Sequence, residues 1–183
     1  SMDIWIRKYC KRNIRSKYYI IMKITILGSC RQDSITYKNY EITKIKEEIS
    51  YPHYTKEVLE IIQFIKNDTI TPEETIHTFR TPILNKTPIY SSNYKNDLET
   101  SDIFVVEIAS KIKYKYNNKF VHHILYDNLT YKNDIIKTTQ TDEEIEEDII
   151  NIVEQLGKNK IIFVGHIVTF DTGERYNLLK LTN

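Results

Sequence analysis

Three short apolar segments constrain the fold of this chain more than any other feature. They are KITILG, DIFVVEIA and KIIFVGH, at residues 23–28, 102–109 and 160–166. Their length and their content of Ile, Val and Phe favour buried strands, because a helix usually needs about 10–12 residues. Two of the three segments carry a glycine at their end or one residue before it, Gly28 and Gly165, and glycine is typical of sharp turns. We therefore predict three buried strands, each followed by a turn.

The segment TDEEIEEDIINIVEQLG, residues 141–157, is the clearest helix in the sequence. Thr141 and Glu144 form a capping-box pattern, acidic residues fill the first turn, and Gly157 is typical of a helix end. Its apolar residues share one face; they are Ile145, Ile149, Ile152, Val153 and Leu156. The third apolar segment follows directly, so strand, helix and strand form a βαβ unit with parallel strands. The predicted fold is α/β, a three-layer, flavodoxin-like sandwich whose mostly parallel sheet is flanked by helices.

Other segments fill in this architecture. Residues 55–66 have helical apolar spacing, residues 111–121 predict a hairpin turning at Asn117 and Asn118, and a short strand is expected near Phe79. We divide the chain into a basic N-terminal extension, residues 1–21, and a single α/β domain, residues 22–183. Residues 175–183 look like the start of another helix, so we expect the domain to be truncated.

Charge and cysteine content exclude several classes of protein. Lys and Arg number 26 against 25 Asp and Glu, a net charge of +1, so general attraction to nucleic acid is not expected. The two cysteines form no disulfide framework, and no apolar run reaches the roughly 20 residues of a membrane span. A cytoplasmic, reducing location follows as an expectation. Abundant Ile, Lys, Asn and Tyr with a single Ala indicate an AT-rich genome, such as that of a microbe or a large DNA virus.

The carboxyl ends of the three predicted strands carry the candidate functional residues. In open α/β sheets, binding and catalytic groups gather at this edge. The first strand ends at Gly28, Ser29, Cys30 and Arg31, the second runs through Glu107 to Ser110 and Lys111, and the third ends at Gly165 and His166. Parallel pairing would bring all three ends to one side of the sheet.

Several common site motifs are missing at this edge. The segment GSCRQDS matches neither phosphate-binding glycine loop, and it lacks the G-x-S-x-G pattern of α/β-hydrolases. No cluster of His, Cys and Asp has zinc-site spacing, and His122 and His123, as neighbours on a strand, would point to opposite faces. We therefore predict neither a metal nor a cofactor. Arg80, in the loop FRTP, either binds a carboxylate or phosphate at the same edge or is simply exposed.

Ser29 is the candidate nucleophile, and a serine needs a neighbouring base. His166 is the candidate base, with His53 as an alternative; Ser29 could instead simply cap the turn that follows the strand. Cys30 is either a thiolate activated by Arg31 or a small buried apolar residue. Glu107 is either an acid with a raised pKa or a partner of Lys111 or Arg31.

A strand running into GSC resembles the first block of the SGNH (GDSL-type) hydrolases and the related GSCFA-type proteins. DIFVVEIASK is similar to the strand that carries their Gly-x-Asn block, and IIFVGHI with RYNLL resembles their next strand and helix. The resemblance implies that Ser29 is the nucleophile, with Gly28 and Cys30 in its block.

The same resemblance implies an acyl or acetyl esterase, or an acyltransferase, acting on a small-molecule or glycan substrate. Its oxyanion would be held by the Ser29 N–H and a donor near Ser110 or Lys111. This chain lacks the family's oxyanion Asn and its C-terminal Asp-x-x-His block. Two alternatives stay open. One is a binding module that uses Arg31 and Arg80, or the hairpin of residues 111–121. The other is nucleic-acid binding through the basic extension and KIKYKYNNK, residues 111–119.

Overall fold

The structure, a computed structural model, describes residues 21–34, 40–43, 45–165 and 181–182. Its regular elements, in chain order, are β1 Met22–Leu27, β2 Tyr40–Ile42, α1 Ile45–Glu48, α2 Thr55–Asn67, α3 Pro72–Thr78, α4 Arg80–Asn85, α5 Lys95–Thr100, β3 Ile103–Ile108, β4 Ile112–Tyr116, β5 Lys119–Phe120, β6 Ile136–Thr139, α6 Asp142–Leu156 and β7 Ile161–Gly165. Short 3₁₀ turns occur at Cys30–Ser34, Ser91–Asn93, His123–Leu125 and Lys158–Lys160.

The main sheet has four parallel strands in the order β2-β1-β3-β7. Leu27 pairs with Val106, and Glu107 pairs with Val164, so the three predicted strands lie side by side and end at the same edge. Side chains on both faces of β1 and β3 are buried, which is usual for parallel sheets. The predicted α/β architecture is confirmed.

Helix α2 packs against one face of this sheet, and together they form the central core. Val58, Ile61, Ile62 and Ile65 are fully buried and belong to a cluster that includes Leu27 of the sheet. Each such side chain contributes about 1.5–3 kcal/mol when it leaves water. Helix α6 begins with the predicted capping box and ends at Gly157, and its predicted apolar face is buried or half-buried.

A second, antiparallel sheet has the order β5-β4-β6. Its β4–β5 hairpin turns at Asn117 and Asn118, both with positive φ, as the sequence predicts. The Tyr54 hydroxyl donates to the Val121 carbonyl over 2.6 Å, which fixes the exit of the hairpin to the start of α2. The strand expected near Phe79 is wrong: Phe79 joins α3 to α4, and its ring is buried against Phe64.

Within the described residues, no helix combines the length and apolar character needed to span a bilayer. Residues 1–20, which make up nearly all of the predicted basic extension, lie outside the described part of the chain. The predicted helix at the C-terminal end, residues 175–183, also falls almost entirely outside it.

Candidate functional site

Ser29 lies directly after β1, at the carboxyl edge of the main sheet, as predicted. Its side chain is 0% exposed. Its backbone N–H donates to Glu107 Oε2 over 2.7 Å, and its hydroxyl oxygen accepts a long 3.4 Å bond from the Arg31 N–H. The N–H that the resemblance assigns to an oxyanion hole therefore already has an anionic partner. This geometry favours a role in closing the turn over catalysis by Ser29.

Gly28 is required by the approach of Glu107. A Cβ at Gly28 would lie 3.0 Å from Glu107 Cβ, 3.1 Å from Glu107 Oε2 and 3.2 Å from Gln32 Cγ. Glu107 itself is 0% exposed. The glycine thus makes room for a buried carboxylate, and the GSC segment has a structural explanation within this fold.

Three further residues predicted at this edge, Cys30, Ser110 and Lys111, lie within the described part of the chain. Cys30 is exposed, so its interpretation as a buried apolar residue is wrong. Lys111 forms a 2.5 Å ion pair with Asp142 at the start of α6. The Ser110 hydroxyl oxygen accepts from the Ile112 N–H over 3.0 Å. His166, the predicted base, lies outside the described residues.

Three histidines assemble elsewhere at this edge. His53, His122 and His123 each offer a ring nitrogen, and the three atoms lie within 4.8 Å of one another. The ring centroids are 4.3 Å apart for His122 and His123, 4.7 Å for His53 and His123, and 5.3 Å for His53 and His122. The expectation that His122 and His123 point apart on a strand is wrong, because His122 caps a 3₁₀ turn that begins at His123.

Backbone bonds bring these histidines together from distant parts of the chain. The N–H of Ala109, just after β3, donates to the His53 carbonyl over 3.0 Å. The His122 N–H donates to the carbonyl of Thr78, the last residue of α3, over 2.9 Å. The cluster is therefore fixed between the carboxyl edge of the sheet and the helical segment that ends at Thr78.

A buried acid supports the loop that carries His53. Glu57 is 0% exposed and accepts from the His53 N–H over 3.1 Å and from the Ser50 hydroxyl over 2.8 Å. Burial raises the pKa of Glu57 to about 8. The Ser50 hydroxyl oxygen also accepts from the Arg80 N–H over 3.2 Å. A single side chain, Glu57, thus positions both His53 and, through Ser50, the start of α4.

The cluster favours neutral imidazoles. Burial, followed by the charges of His123, His53 and Arg80, lowers the pKa of His122 to about 2, against a smaller raising effect of the Tyr51 carbonyl. Burial also lowers the pKa of His123, while the exposed Asp127 raises it and Arg80 lowers it. Neutral imidazole is the form that binds metal ions.

His122 has a ring nitrogen available to a ligand. It is 1% exposed, and within the described part of the chain its Nε2 forms no hydrogen bond of normal geometry, although the Tyr51 carbonyl is near enough to act on the ring. Its Nδ1 accepts from the Ile124 N–H over 3.2 Å. Ligation through Nε2 would move the ring proton to Nδ1 and give up this long bond, so metal affinity would be reduced by its loss.

Arg80 lies beside this cluster. Its guanidinium carbon is 4.6 Å from the centroid of the Tyr51 ring. Arg80 begins α4 two residues after Thr78, whose carbonyl accepts from the His122 N–H over 2.9 Å. The sequence singled out Arg80 as an anion-binding candidate, and the structure associates it with the histidines of a site that the sequence did not predict.

Comparisons with family models, with curated protein sequences and with solved structures find no match to this chain. The site is therefore interpreted from its own geometry.

The sequence carries little sign of the histidine cluster. Its ligands come from two segments about 70 positions apart along the chain. If the segment with His122 and His123 is taken as a strand, these two neighbouring side chains are expected to point to opposite faces. The one available signal is that His53 and the His122–His123 pair account for three of only five histidines in the chain.

Proposed function

We propose that this protein binds a divalent transition-metal ion, zinc in the first place, through His53, His122 and His123. The observation that carries the proposal is the convergence of the three ring nitrogens to within 4.8 Å of one another. In a tetrahedral zinc site with bonds of about 2.1 Å, ligand atoms lie about 3.4 Å apart. Side-chain movements of about an ångström would therefore close the cluster around an ion.

The ligand set selects the class of ion. Imidazole nitrogen suits zinc, copper, nickel and iron, whereas calcium and magnesium prefer oxygen ligands. Three histidines leave the fourth tetrahedral position open to water or substrate, the arrangement of catalytic zinc sites. When bound, such an ion lowers the pKa of its water to about 7 and polarises carbonyl or phosphoryl oxygens. The proposed activity is accordingly metal-assisted hydrolysis.

The surroundings of the three histidines also support a metal site. Among the residues that the structure describes, the Nε2 of the buried His122 has no hydrogen-bond partner of normal geometry, and a polar group loses free energy when it is buried without a partner. Glu57 holds the His53 N–H by a hydrogen bond, which restricts the backbone at that ligand. Such support is what metal ligands need for precise placement.

The test is calorimetric titration of the chelator-treated full chain with Zn²⁺. We expect one ion per chain, and an affinity that falls by more than about tenfold in His123→Ala, since even outer-shell changes cost about tenfold or more. His123 is preferred to His122 because it is only half-buried, so its loss opens a smaller cavity.

His77→Ala is the matched control. His77 is also half-buried among aromatic rings, next to Tyr116 and Tyr131, but it does not belong to the cluster. Unchanged zinc binding in His77→Ala together with the loss in His123→Ala would support the proposal. Absence of stoichiometric binding in the wild type, or equal binding by both variants, would overturn it.

A serine esterase or acyltransferase acting on a small-molecule or glycan acyl substrate is a second proposal. Its support is the position of Ser29 after β1, on the edge where α/β proteins carry functional groups. The burial of Ser29 and the bond from its N–H to Glu107 count against it.

Fluorophosphonate labelling, read by intact mass, tests this second proposal. An adduct on the wild type that is absent from Ser29→Ala would support it. Labelling of neither protein would remove it, because the reagent reacts only with an activated serine.

A further inference from the structure

We propose that Arg80 holds an oxyanion, a carboxylate or phosphate group, against the metal ion bound by His53, His122 and His123. The inference rests on the proposed metal site and names the class of ligand that occupies its open position. The oxyanion would place one oxygen on the ion and another on the guanidinium of Arg80.

The first support is the way Arg80 is held. Its guanidinium lies over the Tyr51 ring, 4.6 Å from the centroid, and its backbone N–H donates to the Ser50 hydroxyl. The next residue, Thr81, donates its N–H to the Ile49 carbonyl over 3.0 Å. The start of α4 is thus joined by two hydrogen bonds to the loop that leads to His53, which holds Arg80 close to that loop.

The second support is that the guanidinium is uncommitted. Across residues 21–34, 40–43, 45–165 and 181–182, it forms no ion pair with a carboxylate. A guanidinium presents its donors in a planar fork that fits carboxylate and phosphate bidentately, and stacking on an aromatic ring leaves the edge of the fork available. Arg80 therefore keeps its donors for a ligand.

The third support is the charge around the cluster. Arg80 lies two residues after Thr78, whose carbonyl accepts from the His122 N–H, and its guanidinium lies over the ring of Tyr51, two residues before His53. Its positive charge is therefore close to the cluster, and a divalent ion would add two more charges. The nearby acids compensate only in part: Asp127 is exposed, and both oxygens of the buried Glu57 side chain already accept hydrogen bonds, from the His53 N–H and the Ser50 hydroxyl. An anion supplied by the ligand would offset this excess, because opposite charges interact strongly in a partly buried site.

The same charges argue against a neutral substrate. A neutral ligand would leave the ion and the guanidinium facing each other without an intervening negative charge. Clamps formed by an arginine and a metal ion are a general means of stabilising carboxylate and phosphoryl oxygens. The class of ligand is therefore an oxyanion, and the experiment below separates carboxylate from phosphate.

The test uses the full chain loaded with Co²⁺, whose visible absorption reports the ligands at the ion. Acetate and inorganic phosphate are titrated separately into the wild type, Arg80→Gln and Arg80→Lys. At least one anion should change the wild-type spectrum, and its dissociation constant should rise by at least about tenfold in Arg80→Gln, the loss of one charge-assisted contact. Arg80→Lys should restore part of the affinity, because it keeps the charge but not the fork.

Lys86→Gln is the matched control, since Lys86 is an exposed cation at the other end of α4. It should bind the anion as the wild type does, so a loss confined to Arg80→Gln supports the inference. Cobalt binding with equal anion affinity in the wild type and Arg80→Gln would overturn the inference and leave the metal site intact. An unresponsive wild-type spectrum would also overturn it, whereas failure to bind Co²⁺ at all would instead remove the metal site itself.

Discussion

The backbone N–H of Ala109 donates a 3.0 Å hydrogen bond to the carbonyl oxygen of His53. Ala109 follows β3 directly, so this bond ties the loop before α2 to the carboxyl edge of the main sheet. That edge is where open α/β sheets carry binding and catalytic groups. The position of His53 in the fold is therefore one in which function is expected on general grounds.

The closeness of Gly28 and Glu107 gives the first prediction. Gly28→Ala should destabilise the protein by about 1–3 kcal/mol, because the new Cβ would lie only 3.0 Å from Glu107 Cβ and the buried strand cannot move freely. The measurement is the free energy of unfolding in urea.

Gly157→Ala provides the comparison for this prediction. A Cβ there meets no atom within 4 Å, and its cost, about 1 kcal/mol, would come from the φ of +95° alone. Equal stability of wild type and Gly28→Ala would show that the β1–β3 contact is looser than described.

Glu107 is predicted to stabilise the turn that contains Ser29. Glu107→Ala should cost about 1–3 kcal/mol or more, since the buried Ser29 N–H would lose its 2.7 Å acceptor. Glu107→Gln should cost less, because its amide oxygen can still accept that bond. Thermal unfolding of the two variants checks this order; equal losses in both would mean that the acceptor at Ser29 N–H contributes nothing beyond the charge. Glu99→Gln, at an exposed position, serves as the control.

Asp148 is predicted to be far more important for stability than Asp142, although both form ion pairs with lysine. Asp148 is 0% exposed, pairs with Lys56 over 2.5 Å and accepts from Thr55 and Gln140. Asp148→Ala should cost about 3–5 kcal/mol, because it leaves a partly buried charge and two polar groups without their acceptor.

Asp142→Ala, which breaks the exposed pair with Lys111, should cost about 0–1 kcal/mol. Urea unfolding of both variants gives the comparison. Similar losses for the two would contradict the burial argument.

Glu57 is predicted to make stability depend on pH. Its folded pKa, about 8, lies above its ordinary value of 4.5, so between these values the folded state binds more protons than the unfolded state. Stability contributed by the protonated acid is therefore complete below about pH 4.5 and is lost as pH rises toward 8, by at most about 1.4 kcal/mol per pH unit.

The measurement compares wild type with Glu57→Gln in buffer with chelator, at several values between pH 5 and 8. The glutamine stays neutral; its amide oxygen can accept from the His53 N–H while its NH2 group donates to the Ser50 hydroxyl oxygen, so the difference in unfolding free energy should shift in its favour as pH rises. A constant difference across this range would show that Glu57 is ionised at its ordinary pKa.

Local pattern was sufficient for some of the elements of this fold, but not for β2 or for the helices between residues 72 and 100. The apolar segments became β1, β3 and β7, the capping box of Thr141 and Glu144 began α6, and the hairpin turned at Asn117 and Asn118. These features depend on residues close in sequence, so their physical causes are visible in a single segment. The strand predicted near Phe79 was wrong because a lone aromatic residue between prolines is as compatible with a buried junction between two helices as with a strand.

The candidate site could not be predicted in the same way. Ser29 was found at the expected edge, but its burial and its bond to Glu107 depend on a partner 78 positions away. The histidine cluster depends on two further long-range bonds, from Ala109 to the His53 carbonyl and from His122 to the Thr78 carbonyl. None of these contacts can be predicted from the spacing of residues along the chain.

The sequence by itself determined the α/β class, the parallel strands and the edge at which functional groups would gather, because hydrophobic periodicity and helix capping act over a few residues. Only the tertiary structure decided which side chains meet there. It enclosed Ser29 and Glu107 together, and it brought His53, His122, His123 and Arg80 into one neighbourhood. Those encounters are set by backbone hydrogen bonds between segments far apart in the chain, whose partners are chosen by packing rather than by local pattern.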